Sequence, residues 1–260
     1  MTPSLVYGTA WKEDATEDCV VAALAAGFRA IDTANQRKHY FEQGVGDAIA
    51  RSGVPRDELF IQTKFTFRDG QDHRLPYDPK APIGDQVVQS HASSLEHLGV
   101  ARLDSYVLHG PSQRDGLGRD DREAWRAMEK LPVGALGVSN VTAAQLRELL
   151  DVASVRPTYV QNRCYARTGW DTEVRAICRE HGLVYQGFSL LTANRHVVER
   201  LHPLAAKYGV HAPQIVFGFA QQVGMVPLTG TTDPAHMRED LAVGQFKLTA
   251  DEVAMIEQLG

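Results

Sequence analysis

Short apolar strands alternate with helices of about ten residues along the whole chain, and this alternation restricts the fold more than any other feature. Strands are predicted at 5–7, 28–31, 59–63, 103–108, 135–138, 159–161, 184–187 and 225–227. Helices are predicted between and after them at 15–26, 44–51, 86–98, 122–131, 143–152, 172–181, 213–222, 234–241 and 250–259. Strands that are apolar on both faces are covered on both sides, and helices between them make the sheet parallel. Eight such units match a closed β/α barrel better than an open sheet, because closure needs about eight equal repeats and leaves no edge. The expected architecture is a single-domain (β/α)8 TIM barrel over residues 1–260.

Composition agrees with a globular domain. A hydrophobic fraction of 43% with 23% charged residues argues against a largely disordered chain. The formal charge of -5 argues against nucleic acid as a partner. Met1-Thr2-Pro3-Ser4 lacks the basic start and apolar run of a secretory signal, and no stretch approaches the roughly 18 apolar residues of a membrane span. A cytoplasmic protein with no membrane partner is therefore expected; a small-molecule partner and a monomer, with a weak homodimer as the alternative, are separate expectations. Cys19, Cys164 and Cys178 form no pair at metal-site spacing, so no metal site is expected. Cys164 alone stands just after a strand, where it would meet a pocket.

In a parallel barrel the residues that follow each strand gather at one mouth. Here they include Asp32, Lys64, His109, Ser139-Asn140, Gln161, Phe188-Ser189 and Thr229-Gly230-Thr231-Thr232, with Tyr40 close behind the second strand. Each alone has an ordinary explanation as a turn cap or a solvated side chain. Together, an acid, an amine, an imidazole and a phenol form a proton-transfer set. Hydride delivered to a carbonyl carbon leaves negative charge on oxygen, which needs a donor that can hydrogen-bond it and give up a proton. Tyr40 would be that donor. A neighbouring Lys64 ammonium, held by a buried Asp32, would lower its pKa from about 10, and His109 would orient the carbonyl. The long connection at 65–85 leaves the third strand at the same mouth and is expected to face substrate.

The chain resembles the aldo-keto reductases. The residues that carry the resemblance are Gly8-Thr9-Ala10-Trp11, Phe28 to Ala34, Val45-Gly46, Thr63-Lys64, Leu103 to Pro111, Gly137-Val138-Ser139-Asn140, Val160-Gln161-Asn162, Phe188-Ser189-Leu190, Val226-Pro227 and Gly230-Thr231-Thr232. The resemblance implies reduction of an aldehyde or ketone with NADPH, or with NADH as the alternative. It implies catalytic roles for Asp32, Tyr40, Lys64 and His109, and nicotinamide contacts from Ser139, Asn140 and Gln161. Phe188, with Ser189 and Leu190 after it, stands where an aromatic ring stacks on the nicotinamide. Thr229, Gly230, Thr231, Thr232 and Arg238 would meet the phosphates, and Glu239 and Asp240 the adenosine. A cofactor-binding regulatory protein, or a lyase or isomerase using the same acid and base, is the alternative on this fold.

Three departures from the family pattern stand out. The tyrosine usually follows the aspartate by five positions, where this chain has Arg37, so the loop must bulge to return Tyr40, with Lys38 and His39 beside it. Basic residues that would clamp a 2'-phosphate are replaced by Leu228 and His236, which weakens the preference for NADPH. The chain begins almost at strand one and ends with the last helix, so the substrate pocket is expected to be open. Trp11, Phe65 and Phe67 are expected to line it, with Trp170 as a further candidate, beside Tyr40 and His109.

Overall fold

Eight parallel strands close on themselves in sequence order in the structure, a computed structural model that describes residues 2–260. They are β1 (Val6–Gly8), β2 (Ala30–Asp32), β3 (Phe60–Phe65), β4 (Ser105–Leu108), β5 (Leu136–Ser139), β6 (Tyr159–Arg163), β7 (Val184–Phe188) and β8 (Met225–Thr229). Tyr7 of β1 lies opposite Ile31 on one side and Thr229 on the other, so the sheet has no edge. The covering helices are α1 (Thr16–Ala26), α2 (Glu42–Ser52), α3 (Ile83–Leu98), α4 (Arg119–Met128), α5 (Ala143–Val152) and α6 (Thr172–His181). After β7 come α7 (Arg195–Arg200), α8 (His202–Tyr208) and α9 (Ala212–Gln222), and after β8 come α10 (Pro234–Leu241) and α11 (Ala250–Glu257).

Helix boundaries read correctly where the cap is written in the sequence. Before α5, Gln145 N–H donates to the Thr142 hydroxyl at 3.2 Å and Thr142 N–H to Gln145 Oε1 at 3.0 Å. Before α10, Asp233 accepts from Ala235 N–H at 2.7 Å and Pro234 opens the first turn. The sequence reading missed α7 and α8, which are too short to show a helical period. They are held by the buried Asn194 side chain, which donates to the carbonyls of Cys164 and Leu190 and accepts from Ala166 N–H.

Alternation along the strands sorts side chains into two layers. Tyr7, Ile31, Ile61, Phe65, Tyr106, Val138 and Tyr185 face outward into the core beneath the helices. Val6, Ala30, Val226 and Leu228 face inward with Phe60, Val184 and Phe188. Gly46 lets α2 approach the end of α3, since a Cβ there would overlap the His97 carbonyl oxygen. That contact fixes the helix that follows the Tyr40 loop.

Candidate active site

One rung above the inward apolar residues the barrel interior becomes polar. Lys64 and Asp32 are both almost wholly buried, and the ammonium donates to Asp32 Oδ2 at 2.6 Å and to the Thr33 carbonyl at 2.7 Å. Asp32 Oδ1 accepts from the amides of Gln62 and Gln161 at 2.7 and 3.0 Å. Gln186 Oε1 accepts from the same two amides. A buried charge pair needs its remaining lone pairs satisfied; Gln62 and Gln161 do so for Asp32, and Gln186 holds their amides in place. The sequence reading placed Gln62 and Gln186 in strands without giving them a role. Their two-residue spacing from Lys64 and Phe188, which puts them on the same inward face, was the available signal.

Tyr40 reaches the same cavity despite its late position in the loop. Its N–H and that of His39 both donate to the Gln36 carbonyl, closing a turn over the three extra residues. The ring stands edge-on to His109, with centroids 5.8 Å apart, and the Lys64 ammonium lies 5.2 Å from its centroid. Lys64 thus addresses the ring, while its hydrogen bonds go to Asp32 and Thr33 and not to the Tyr40 hydroxyl. Loss of solvent, followed by the Asp32 charge, raises the phenol well above its ordinary pKa, and Arg163 pulls the other way. The phenol is therefore raised and not lowered as expected, and burial is the main cause. Tyr40 is held as a protonated donor.

His109 sits at the cavity wall with Nδ1 2.7 Å from the Thr66 hydroxyl. Burial, then the charges of Lys64 and His39, push the imidazole down to about 3. It is neutral at ordinary pH, and when Thr66 donates to Nδ1 the ring proton lies on Nε2, free to bind a carbonyl oxygen.

Ser139, Asn140, Gln161, Phe188, Ser189, Leu190, Thr229, Gly230, Thr231, His236, Glu239 and Asp240 line one continuous cavity of about 1090 Å³ together with Asp32, Tyr40 and His109. The volume lies at the upper end for ligand pockets and suits a dinucleotide with a small substrate. Gln161 gives its amide hydrogens to Asp32 and Gln186, which leaves its oxygen to accept from a carboxamide. Asn140 and Ser189 adopt left-handed backbone, with φ of 55° and 57°, at the ends of β5 and β7. The Asn140 amide donates to the His109 carbonyl at 2.7 Å, which ties the two strand ends together. Asp240 accepts from the Thr229 hydroxyl at 2.7 Å, and burial raises its carboxyl to about 6. These residues fit a nicotinamide dinucleotide.

Several expectations require correction. Phe65 follows inward-facing Lys64 and so points outward, fully buried against Phe67 and Tyr77, and neither Phe65 nor Phe67 lines the cavity. Trp170 is buried on Phe219 and donates to the Ile256 carbonyl, away from the cavity. Cys164 is buried in the outer layer 4.0 Å from the Met225 sulfur. Thr232 and Arg238 are exposed and lie outside the cavity lining. The 65–85 connection braces the Tyr40 loop instead of facing substrate: the Gly70 carbonyl accepts from Gln36, and Gln71 donates to the Asn35 carbonyl. The cavity wall includes Trp11, tilted against His39 with centroids 3.8 Å apart, and the segment after β7 that contributes Leu191 and Thr192.

A barrel mouth that gathers acid, amine, phenol and imidazole around a dinucleotide-sized cleft defines a proton-transferring barrel enzyme. The chain belongs to the Aldo/keto reductase family, whose profile matches residues 4–260. Members of that family are NAD(P)H-dependent oxidoreductases. The chain is 31% identical over 264 residues to an aldo-keto reductase of Mycolicibacterium vanbaalenii, a match that covers 99% of this chain and 88% of the relative. It is 32% identical over 246 residues to 2,5-diketo-D-gluconic acid reductase B of Corynebacterium sp., covering 92% and 82% of the two chains. Among solved structures, Bombyx mori aldo-keto reductase in complex with NADP matches with a TM-score of 0.80 at 25% identity, covering 99% of this chain and 89% of that one.

Proposed function

We propose that this protein reduces the carbonyl group of a small aldehyde or ketone to an alcohol, with Tyr40 as proton donor. The observation that carries this reading is the convergence of Tyr40, His109 and the buried Lys64–Asp32 pair on one end of the cavity. When bound, NADPH, or NADH in its place, supplies the hydride. Ser139, Asn140 and Gln161 would hold the carboxamide, and Phe188 would present its ring as a stacking surface. Thr229, Gly230 and Thr231 would meet the phosphates, and His236, Glu239 and Asp240 the adenosine end.

The rest of the chemistry belongs to the chain. A neutral His109 donates from Nε2 to the carbonyl oxygen and fixes its direction toward Tyr40. Tyr40, protonated in the resting site, gives its proton as charge develops on that oxygen. The phenolate left behind faces the Lys64 ammonium across its own ring, and Asp32 keeps that ammonium in place while Gln62 and Gln161 keep Asp32 in place. Trp11 and His39 line the same cavity.

The test is loss of absorbance of the reduced cofactor with a panel of small aldehydes, ketones and diketones. Wild-type protein should consume cofactor in proportion to substrate. Tyr40→Phe should bind cofactor normally and lose about 100-fold or more in turnover, whereas His39→Ala should retain most of it. Retention in Tyr40→Phe with loss in His39→Ala would move the donor to the histidine. Cofactor binding without any turnover would favour a regulatory protein.

A further inference from the structure

Arg163 is the last residue of β6, two positions beyond Gln161 and on the same inward face of the barrel. Its backbone partner on β7 is Phe188. The guanidinium carbon lies 5.5 Å from the Phe188 ring centroid, the side chain is exposed, and it lines the cavity beside Tyr40 and His109. Among the described residues no carboxylate comes within ion-pair distance of it.

The acids nearest the cavity are already engaged. Asp32 holds Lys64, Glu239 lies 3.0 Å from His211 Nδ1, and Asp240 accepts from Thr229. Lys64 is paired with Asp32, so Arg163 is the arginine of the cavity lining that has no carboxylate within ion-pair distance among the described residues. Its charge is close enough to be felt at the Tyr40 phenol. A guanidinium beside an aromatic ring, with no acid to pair it, has a fork of N–H donors that matches the two oxygens of a carboxylate.

Resting on the reductase reading above, we propose that Arg163 is a substrate-binding residue that selects carbonyl compounds bearing a carboxylate, that is, short oxo-carboxylates. The carbonyl carbon gains hydride from the reduced nicotinamide cofactor, the carbonyl oxygen gains the Tyr40 proton, and the cofactor leaves oxidised. The carboxylate passes through unchanged, held by Arg163. The product is the corresponding hydroxy-carboxylate.

The experiment compares a short oxo-carboxylate with its uncharged amide. Calorimetric titration into protein saturated with oxidised cofactor measures binding without turnover, and steady-state rates with reduced cofactor measure selection. Wild-type protein should bind the carboxylate about 10- to 100-fold more tightly than the amide and show a similar ratio in kcat/KM. Arg163→Gln should collapse both ratios toward unity, and Arg163→Lys should keep part of them, since it keeps the charge and loses the fork. Equal binding of acid and amide by wild-type protein overturns the proposal, as does a preference that survives in Arg163→Gln. So does an Arg163→Gln variant that weakens only cofactor binding, which would assign the guanidinium to the dinucleotide. Carboxylate binding that depends on Arg163 without reduction of any carbonyl would instead reject the reductase reading and leave the anion site standing.

Discussion

Lys64 and Asp32 form a buried ion pair at the bottom of the cavity, so removal of one strands the other. Lys64→Met should destabilise the fold by about 3 to 5 kcal/mol and lower turnover about 100-fold or more, read from denaturant unfolding and steady-state rates. The double variant Lys64→Met/Asp32→Asn should recover most of the stability, because Gln62 and Gln161 still find an acceptor, and none of the turnover. Near-normal rates in Lys64→Met would remove the ammonium from the mechanism. His109 makes a prediction with a definite sign. Its imidazole is pushed from 6.5 down to about 3 by burial first and by Lys64 and His39 next. A depressed folded pKa means that the unfolded chain binds the proton more readily, so the contribution to stability is present above 6.5 and is lost as pH falls toward 3. Unfolding free energies measured at about pH 7.5 and about pH 4.5 should fall less steeply in His109→Gln than in wild-type protein, and kcat should show no step from this group in that range. Equal slopes would mean that His109 titrates as an exposed imidazole.

The connection between β3 and α3 acts on catalysis through the loop that carries Tyr40. Gln71 donates to the Asn35 carbonyl at 2.8 Å and Gln36 to the Gly70 carbonyl at 2.6 Å, while the Asn35 amide bonds to Ser90 and Ser94 of α3. Glu42, the first residue of α2, is buried and accepts from Thr63, Ser94 and His97. Tyr40 is therefore suspended between two anchored segments. Gln71→Ala should cost about 1 kcal/mol of stability and lower kcat several-fold with little change in KM, since it loosens a proton donor without touching substrate. A change in KM alone would show that the excursion contacts substrate after all. Its length in the sequence marked it as functional, but length does not say whether a loop covers a pocket or braces its neighbour.

At the scale of the whole molecule, the cavity combines a catalytic end with a dinucleotide end whose lining holds His211 and His236 but, among the described residues, no lysine or arginine. A 2'-phosphate met by hydroxyls and imidazoles lacks the charge-assisted pairing of a lysine or arginine, so the advantage of NADPH over NADH should stay below about 100-fold in binding. Direct titration with both cofactors measures it, and His236→Arg should strengthen NADPH by about 10-fold while leaving NADH unchanged. An advantage above about 1000-fold in wild-type protein would require a clamp outside these residues. Eight units of strand and helix were legible in the sequence because their signals are local: caps such as Thr142 and Asp233, closing glycines such as Gly27 and Gly182, and apolar runs of strand length. The gathering of Asp32, Lys64, His109 and Gln161 was legible as well, since parallel strands deliver all their C-terminal ends to one mouth. Barrel closure and register decided the rest. They turned Phe65 outward once Lys64 faced in, buried Cys164 and Trp170, and tilted His39 against Trp11. They also aimed the amides of Gln62 and Gln161 at Asp32 and left Arg163 beside Phe188, with no carboxylate in ion-pair distance among the described residues. Such contacts join residues far apart in the chain, and no local pattern specifies which of two alternating faces will meet a partner until the sheet has closed.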